Sequence, residues 1–223
     1  MKQLKLLCIA DHVDPLIYCD ALKKRYGDVD AVLSCGDLKR YYYEFIVTTL
    51  NVPFYYVLGN HSPFSLERPK VEQNLLQNLF QGGILTDGRS VYSKKLDLII
   101  VGFGGSINYN NGPNQYTESE MFFRIIRLLP TLIWNRIVHG RYVDILMTHA
   151  PPRYINDKED PCHKGFKIFR WFLKRFKPSC MIHGHVHLFS YNNKRTSTFM
   201  DIPIINVYDH FILNIPLNGG TNE

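Results

Sequence analysis

Short apolar runs recur along the chain, and several of them stop at a polar residue that can bind a metal ion. Residues 4–10 are apolar except for Lys5, which is typical of a strand that is buried on both faces. Asp11 follows this strand directly. By the same criterion we predict further strands at residues 31–35, 54–58, 91–96, 98–101, 144–147, 179–183, 196–200, 204–207 and 211–215.

Between the strands, apolar residues recur with helical spacing. Asp14 stands where it can cap a first helix, and Thr117 and Glu120 have the spacing of a capping box before a later one. In the segment 164–177, phenylalanines alternate with lysines and arginines, so one face of a helix would be apolar and the other cationic. Helices are predicted at residues 15–24, 41–50, 67–80, 121–129, 131–138 and 164–177.

The order of these elements predicts a layered α/β protein. Strands alternate with helices in the first half of the chain, and the last three strands are predicted to form a β-meander that closes a second sheet. A length of 223 residues suits one domain with a substantial core, so residues 1–223 are interpreted as a single domain. Oligomeric state cannot be read from the sequence.

Net charge, the length of the apolar stretches and the cysteines indicate which cell compartment and which binding partners to expect. The net charge is +6, but the basic residues are spread along the chain apart from the segment 164–177, which is better explained as a solvated helix face than as a nucleic-acid patch. No apolar stretch approaches the roughly 18 residues of a membrane span, so no membrane partner is expected. Five cysteines form no CxxC pair, and Cys8, Cys35 and Cys180 lie within apolar runs, which indicates a reducing, cytoplasmic location.

Candidate metal ligands cluster at the ends of five predicted strands. A mixture of carboxylate, amide oxygen and imidazole, with no thiolate, suits Mn, Fe or Zn better than Cu(I) or an iron–sulfur cluster. Glycine beside several of these residues would allow the backbone to turn tightly and aim the next side chain. The segments are Ala10-Asp11, Gly36-Asp37, Gly59-Asn60-His61, Thr148-His149 and Gly184-His185-Val186-His187.

In this order, from Asp11 to His187, the segments resemble those of the calcineurin-like metallophosphoesterase superfamily. The resemblance implies a four-layer α/β/β/α sandwich, in which two mixed sheets face each other and helices flank them. It also implies two divalent metal ions. The first would be held by Asp11, Asp37 and His187, and the second by Asp37, Asn60, His149 and His185.

The implied activity is hydrolysis of a phosphate mono- or diester by a hydroxide that bridges the two metals. His61 would face the phosphate and act on the leaving group. The expected substrate is a phosphorylated small molecule or a nucleotide, and a nucleic acid is a less favoured substrate. The alternative is a catalytically weakened member that retains metal and acts as a module that binds a phosphorylated ligand or a protein.

The sequence departs from the family pattern at two positions. Where the family has a histidine two residues after its first aspartate, this chain has Val13, and Asp14 is a candidate substitute ligand. Ser62 follows His61, where the family usually has a carboxylate. Two further residues of the loop 150–164, Arg153 and His163, are candidates for contacts with phosphate or the leaving group.

Overall fold

The computed structural model describes residues 3–61, 82–189 and 194–216. Within these residues the strands are β1 (Gln3–Ala10), β2 (Ala31–Ser34), β3 (Phe54–Tyr56), β4 (Gly83–Leu85), β5 (Arg89–Ser93), β6 (Leu98–Phe103), β7 (Ser106–Ile107), β8 (Gln115–Tyr116), β9 (Ile145–Thr148), β10 (Cys180–His183), β11 (Thr196–Phe199), β12 (Ile202–Asn206) and β13 (Asp209–Pro216). The helices are α1 (Leu22–Tyr26), α2 (Arg40–Leu50), α3 (Glu118–His139) and α4 (Lys167–Phe176).

Two large mixed sheets contain most of these strands. The first sheet has the order β13-β1-β2-β3-β4, in which β1 to β4 are parallel and β13 is antiparallel to β1. The second has the order β11-β12-β10-β9-β6-β5, with a parallel centre and antiparallel strands β11 and β5 at its edges. Parallel pairing brings the carboxyl ends of the central strands of each sheet to one edge.

Alternate residues of each strand enter different cores, and this alternation creates the layers. On β1, Leu6 belongs to the core between the sheets, whereas Leu7 packs with residues of α1 and α2. On β9, Ile145 joins the central core, whereas Leu146 packs with α3 and α4. All four side chains are fully buried. The arrangement is therefore α1 and α2, first sheet, second sheet, then α3 and α4, which confirms the predicted four-layer α/β/β/α sandwich.

Three of the predicted helices differ from the structure. Residues 15–20 form turns, and α1 covers only Leu22–Tyr26, because the backbone carbonyl of Asp14 accepts hydrogen bonds that close a single turn. The helices predicted at 121–129 and 131–138 are one helix, α3, which passes through Pro130. Proline removes one backbone donor, but the buried stripe continues across it and holds the helix together. The predicted capping box of Thr117 and Glu120 is confirmed.

The predicted strands also differ from the structure at several places. Strand β4 was not predicted, because its three residues are too few to show an alternating pattern. The last strand of the predicted meander, β13, crosses to the first sheet and pairs with β1 along all eight residues. The helix predicted at 67–80 lies outside the described residues. In the described parts of the chain, no helix combines the length and apolarity needed to cross a membrane.

Candidate metal centre

The polar residues that follow five central strands converge where the two sheets end. Strands β1, β2 and β3 of the first sheet lead to Asp11, Asp37 and Asn60, and strands β9 and β10 of the second sheet lead to His149 and His185. Backbone hydrogen bonds connect these strand exits, including the one that Asp11 donates to the Gly36 carbonyl at 3.1 Å. The edge shared by both sheets is therefore the candidate site.

Three of the candidate ligands have left-handed backbone conformations. The φ angles of Asp11, Asp37 and His185 are 65°, 56° and 67°. At Asp11 the chain makes a γ-turn, in which the amide of His12 donates to the Ala10 carbonyl at 2.7 Å. Such conformations cost about 1–3 kcal/mol each for a non-glycine residue and concentrate at functional sites. The strained backbone turns these side chains from the strand direction towards one another.

Glycines make room for the two carboxylates. A Cβ atom added at Gly59 would lie 1.9 Å from Asp37 Oδ1, and one added at Gly184 would lie 2.6 Å from Asp11 Oδ2. Both distances are far below a van der Waals contact, so a side chain at either glycine would displace the neighbouring carboxylate. The glycines of the sequence segments therefore serve the geometry of the aspartates as well as the turn of the backbone.

His149 is the centre of a cluster of hydrogen-bond acceptors. Its Nδ1 is 2.7 Å from the Cys35 carbonyl oxygen and can only donate there. Its Nε2 faces Asn60 Oδ1 at 2.9 Å and Asp37 Oδ2 at 3.2 Å. Donor atoms of Asp11, Asp37 and His149 all lie within 4.8 Å of one another. With Nδ1 protonated, a neutral ring would present a lone pair to two oxygen acceptors, so the cluster requires a cation.

The pKa values of this cluster reflect that requirement. Burial lowers the pKa of His149, but the Asp37 carboxylate outweighs it and raises the pKa to about 9. Burial raises the pKa of Asp11 to about 7, against the opposing effect of His149. Burial also favours the neutral form of Asp37, yet the charge of His149 leaves its pKa below the usual value. The acceptors around His149 therefore favour a positive charge at this point of the site.

His185 is held by its backbone and by one ring nitrogen. Its amide donates to Asp11 Oδ2 at 2.8 Å, and its Nε2 lies 2.6 Å from the Cys162 carbonyl oxygen. Because a carbonyl only accepts, Nε2 carries the hydrogen and Nδ1 keeps a lone pair. Burial, followed by the neighbouring His149, lowers the pKa of His185 to about 3, so the ring is neutral. A neutral imidazole with a free Nδ1 is suited to bind a metal.

His187 and His61 lie at the same edge with fewer described contacts. The His187 ring packs against Tyr208 and Phe189, with ring centroids 5.0 and 5.6 Å apart, and burial lowers its pKa. His61 is exposed, and its backbone amide donates to Asp37 Oδ1 at 2.8 Å. The bond fixes the backbone of His61 beside the acceptor cluster, and the side chain is exposed.

Two further observations indicate that the donor atoms of this site suit a divalent metal. Asp11 Oδ1 is buried without a hydrogen-bond partner among the described residues, and an unpaired carboxylate oxygen is costly unless a cation meets it. The oxygens of Asp11, Asp37 and Asn60 with the imidazole of His149 are ligands that Mn, Fe and Zn accept. The polar atoms of the site therefore match the chemistry of a transition-metal centre.

Three residues considered in the sequence have other partners. Asp14 accepts from the Leu16 amide at 2.8 Å, and its other oxygen is bonded to His210 Nδ1. Val13 packs against the core beneath α1 and α2. The guanidinium of Arg153 is paired with two carboxylates of its own loop, Asp157 at 2.6 Å and Glu159 at 2.7 Å, so Arg153 holds the loop together. We therefore find no support for Asp14 as a substitute ligand or for Arg153 as a free phosphate contact.

The loop 150–164 nevertheless approaches the centre. The His163 ring lies 5.2 Å from the His185 ring, and its Nδ1 is 2.7 Å from Asp160 Oδ1. Cys162 also donates to that carboxylate at 2.9 Å. Asp160, Cys162 and His163 thus form a second compact group of possible ligand atoms. Their closeness along a polar loop was visible in the sequence, but nothing there indicated that the three side chains would meet.

Sequence reasoning missed the partners that orient the ligands. The carbonyl groups of Cys35 and Cys162 fix the rings of His149 and His185, and backbone carbonyls leave no signal in the residue types. The Asn60 amide nitrogen donates to the Tyr109 hydroxyl at 3.4 Å. Tyr109 belongs to the loop between β7 and β8.

The layered sandwich and its edge define the metallo-dependent phosphatase fold. The family model described as calcineurin-like phosphoesterase matches residues 4–189. The chain therefore belongs to the calcineurin-like phosphoesterase family. No match was found among curated proteins.

Solved structures show the same fold at low sequence identity. The protein TT1561 of Thermus thermophilus is 14% identical, with a TM-score of 0.60, over 93% of this chain and 90% of that one. Phosphopantetheinyl hydrolase (PptH) from Mycobacterium tuberculosis is 13% identical, with a TM-score of 0.60, over 92% of this chain and 89% of that one. At such identities the likeness concerns the fold alone.

Proposed function

We propose that the chain is a metal-dependent phosphoesterase that hydrolyses a phosphate mono- or diester of a small molecule or nucleotide. The observation that carries the proposal is the acceptor cluster around His149. Its Nε2, the Asn60 oxygen and the Asp37 carboxylate converge in a buried place where only a cation can satisfy them. Membership of the calcineurin-like phosphoesterase family supports the same reaction class.

Six residues would hold two divalent ions, Mn, Fe or Zn. Asp37 would be shared, with Asp11 and His187 completing one ligand set and Asn60, His149 and His185 the other. Metal ions in such a site polarise a phosphoryl oxygen and make water a nucleophile near neutral pH. The protein keeps the imidazoles of His149 and His185 oriented through the carbonyl groups behind them, which preserves a lone pair on the nitrogen that faces the centre.

His61 would act on the substrate itself. Its amide is bound to Asp37, so its backbone cannot leave the centre, while the exposed ring can reach a bound ester. In the protonated state the ring donates to the oxygen of the leaving group and neutralises its developing charge. This division assigns metal binding to Asn60 and proton donation to the residue that follows it.

Metal dependence is the first test. We expect chelated protein to be inactive on p-nitrophenyl phosphate and bis-p-nitrophenyl phosphate, and added Mn²⁺ to restore hydrolysis of at least one of them. The variant Asp37→Ala should take up less metal in a calorimetric titration, because both proposed ligand sets use this carboxylate. The variant His139→Ala, changed at the carboxyl end of α3, serves as the matched control. Full activity after chelation, or unchanged metal uptake by Asp37→Ala, would contradict the proposal.

The second candidate is a module that binds metal and a phosphorylated ligand without turnover. Val13 favours it, since the position occupied by histidine in the family here packs against an apolar core. Metal uptake that depends on Asp37, combined with phosphate binding but no hydrolysis of either ester, would select this candidate.

A further inference from the structure

Helix α3 is apolar on both of its sides. Its inner side fills the core next to the second sheet with Met121, Ile125 and Leu132, which are fully buried. On its outer side Trp134 and Ile137 are 62% and 72% exposed. A helix that is apolar all round normally has a second apolar environment. The α3/α4 face, as we call it, comprises Phe122, Phe123, Ile133, Trp134, Ile137 and, from α4, Trp171.

The two helices form this face together because they lie side by side and run in the same direction. At their amino ends the Glu118 carboxylate accepts hydrogen bonds from the Lys167 amide at 3.2 Å and the Ile168 amide at 2.5 Å. At their carboxyl ends Arg136 and Arg175 both lie 5.8 Å from the ring centre of Tyr142. The surface therefore extends over the length of α4.

A shallow groove joins the helices at the amino end of the face. Its walls include Phe122 and Phe123 from α3 and Lys167 and Trp171 from α4. Aromatic rings are thus exposed on both helices beside a lysine. The groove adds apolar surface that neither the core nor the candidate metal centre uses.

The exposed charged side chains of the α3/α4 face are cationic. The helices carry two acidic residues, Glu118 and Glu120, and both carboxylates accept hydrogen bonds at helix amino ends. The exposed cations are Arg127, Arg136, Lys167, Lys174 and Arg175. The face accordingly combines tryptophan, phenylalanine and isoleucine with lysine and arginine and offers no free carboxylate of its own helices.

We propose that the α3/α4 face binds the surface of an anionic phospholipid membrane. Tryptophan and phenylalanine favour the boundary between lipid headgroups and acyl chains, and lysine and arginine beside them attract anionic headgroups. A second copy of this chain fits less well, because a symmetric contact would bring cations against cations. The sequence led us to expect no membrane partner because no apolar stretch is long enough to span a membrane. That criterion does not detect a helix face that lies on the membrane surface.

Both tryptophans of the chain lie on the face, so their fluorescence reports on it directly. With the full chain we expect co-sedimentation with phosphatidylcholine vesicles that contain phosphatidylserine, together with a blue shift of the tryptophan fluorescence emission. Binding to vesicles of phosphatidylcholine alone should be much weaker. The double variant Trp134→Ser, Ile137→Ser should bind at least about ten-fold more weakly, with Trp171 as the remaining reporter. The matched control Leu16→Ser, Tyr41→Ser removes exposed apolar side chains elsewhere and should bind normally.

Charge is tested by a second pair of variants. Lys167→Glu, Lys174→Glu should lose roughly ten-fold or more in affinity for the anionic vesicles, since both lysines lie on the face. Lys23→Glu, Lys24→Glu makes the same change in net charge on α1 and should retain binding. Absence of vesicle binding by the unmodified chain, or equal loss in both charge variants, would overturn the proposal. The proposal would also be overturned by a dimer in sedimentation analysis that dissociates in the variant Trp134→Ser, Ile137→Ser, if the unmodified chain does not bind vesicles.

Discussion

His61 is anchored to the candidate centre by its backbone, whereas its ring is exposed. We therefore expect His61→Ala to lower turnover by about 10² to 10⁴, the usual effect of losing an acid–base group, without loss of metal. The measurement is kcat with the better ester, together with metal content by elemental analysis. His139→Ala is the control for losing a histidine elsewhere. Loss of metal in His61→Ala would mean that His61 is a ligand and that the division of roles with Asn60 is wrong.

Gly59 allows a second test at the scale of single residues. In Gly59→Ala the new Cβ would lie 1.9 Å from Asp37 Oδ1, so the carboxylate must move. We expect weaker metal binding in calorimetry and a loss of about 1–3 kcal/mol in the free energy of unfolding, as for other overpacked sites.

The matched control for this substitution is Gly140→Ala. Gly140 has a φ of 71° but open space around the position of a Cβ. Backbone strain alone should cost about 1–2 kcal/mol there and leave metal affinity unchanged. Equal metal affinity in Gly59→Ala and the original chain would show that the present position of the Asp37 carboxylate is not the one that binds metal.

At the scale of elements, the amino end of α3 is capped by two side chains, those of Thr117 and Glu120. Thr117 Oγ1 accepts from the Glu120 amide at 3.2 Å, and the Glu120 carboxylate accepts from the Thr117 amide at 2.7 Å. Thr117→Ala should lower the free energy of unfolding by about 1 kcal/mol in chemical denaturation. Thr131→Ala, an exposed change inside the same helix, should instead leave stability equal or raise it by about 0.5 kcal/mol. If both variants behaved alike, the cap would contribute nothing beyond helix propensity.

The sequence predicted elements well wherever local pattern and tertiary packing agree. Strands β1, β2 and β9 are nearly as predicted, because each is a continuous apolar run buried between layers. The prediction failed where contacts between residues far apart in the sequence determine the secondary structure. Pro130 normally ends a helix, but here the buried residues on both sides of it fill one core, so α3 continues. Strand β13 was assigned to the wrong sheet because residue pattern does not reveal which edge a last strand will choose.

At the scale of the whole molecule, the position of the candidate centre was predictable and its fine geometry was not. Polar residues behind parallel strands must meet at one edge, and the structure brings Asp11, Asp37, Asn60 and His149 together there. The ring orientation of His149 depends on the Cys35 carbonyl, and the position of a backbone carbonyl cannot be recognised from the residue types. The metal-binding roles themselves stay predictions until the metal titration is done.

Pairing of the first and last described strands gives a prediction for the whole fold. A chain that ends at Val207 lacks β13 and leaves the β1 edge unpaired, so we expect it to aggregate or dimerise in size-exclusion chromatography and light scattering. A chain that ends at Pro216 keeps every described residue and is the control. A monomer of unchanged stability after removal of β13 would show that β1 does not need this partner.

The same pairing bears on how the molecule is made. On the ribosome β1 emerges long before β13, yet the two strands are neighbours across all eight residue pairs. At about 5–20 residues per second, synthesis of the intervening chain takes roughly 10–40 s, during which β1 has one open edge. The two sheets can begin to collapse earlier, but the outer edge of the first sheet is paired only after β13 has emerged. The nascent chain therefore carries an unpaired strand edge while the residues between β1 and β13 are synthesised, and this is the period in which a chaperone would protect it.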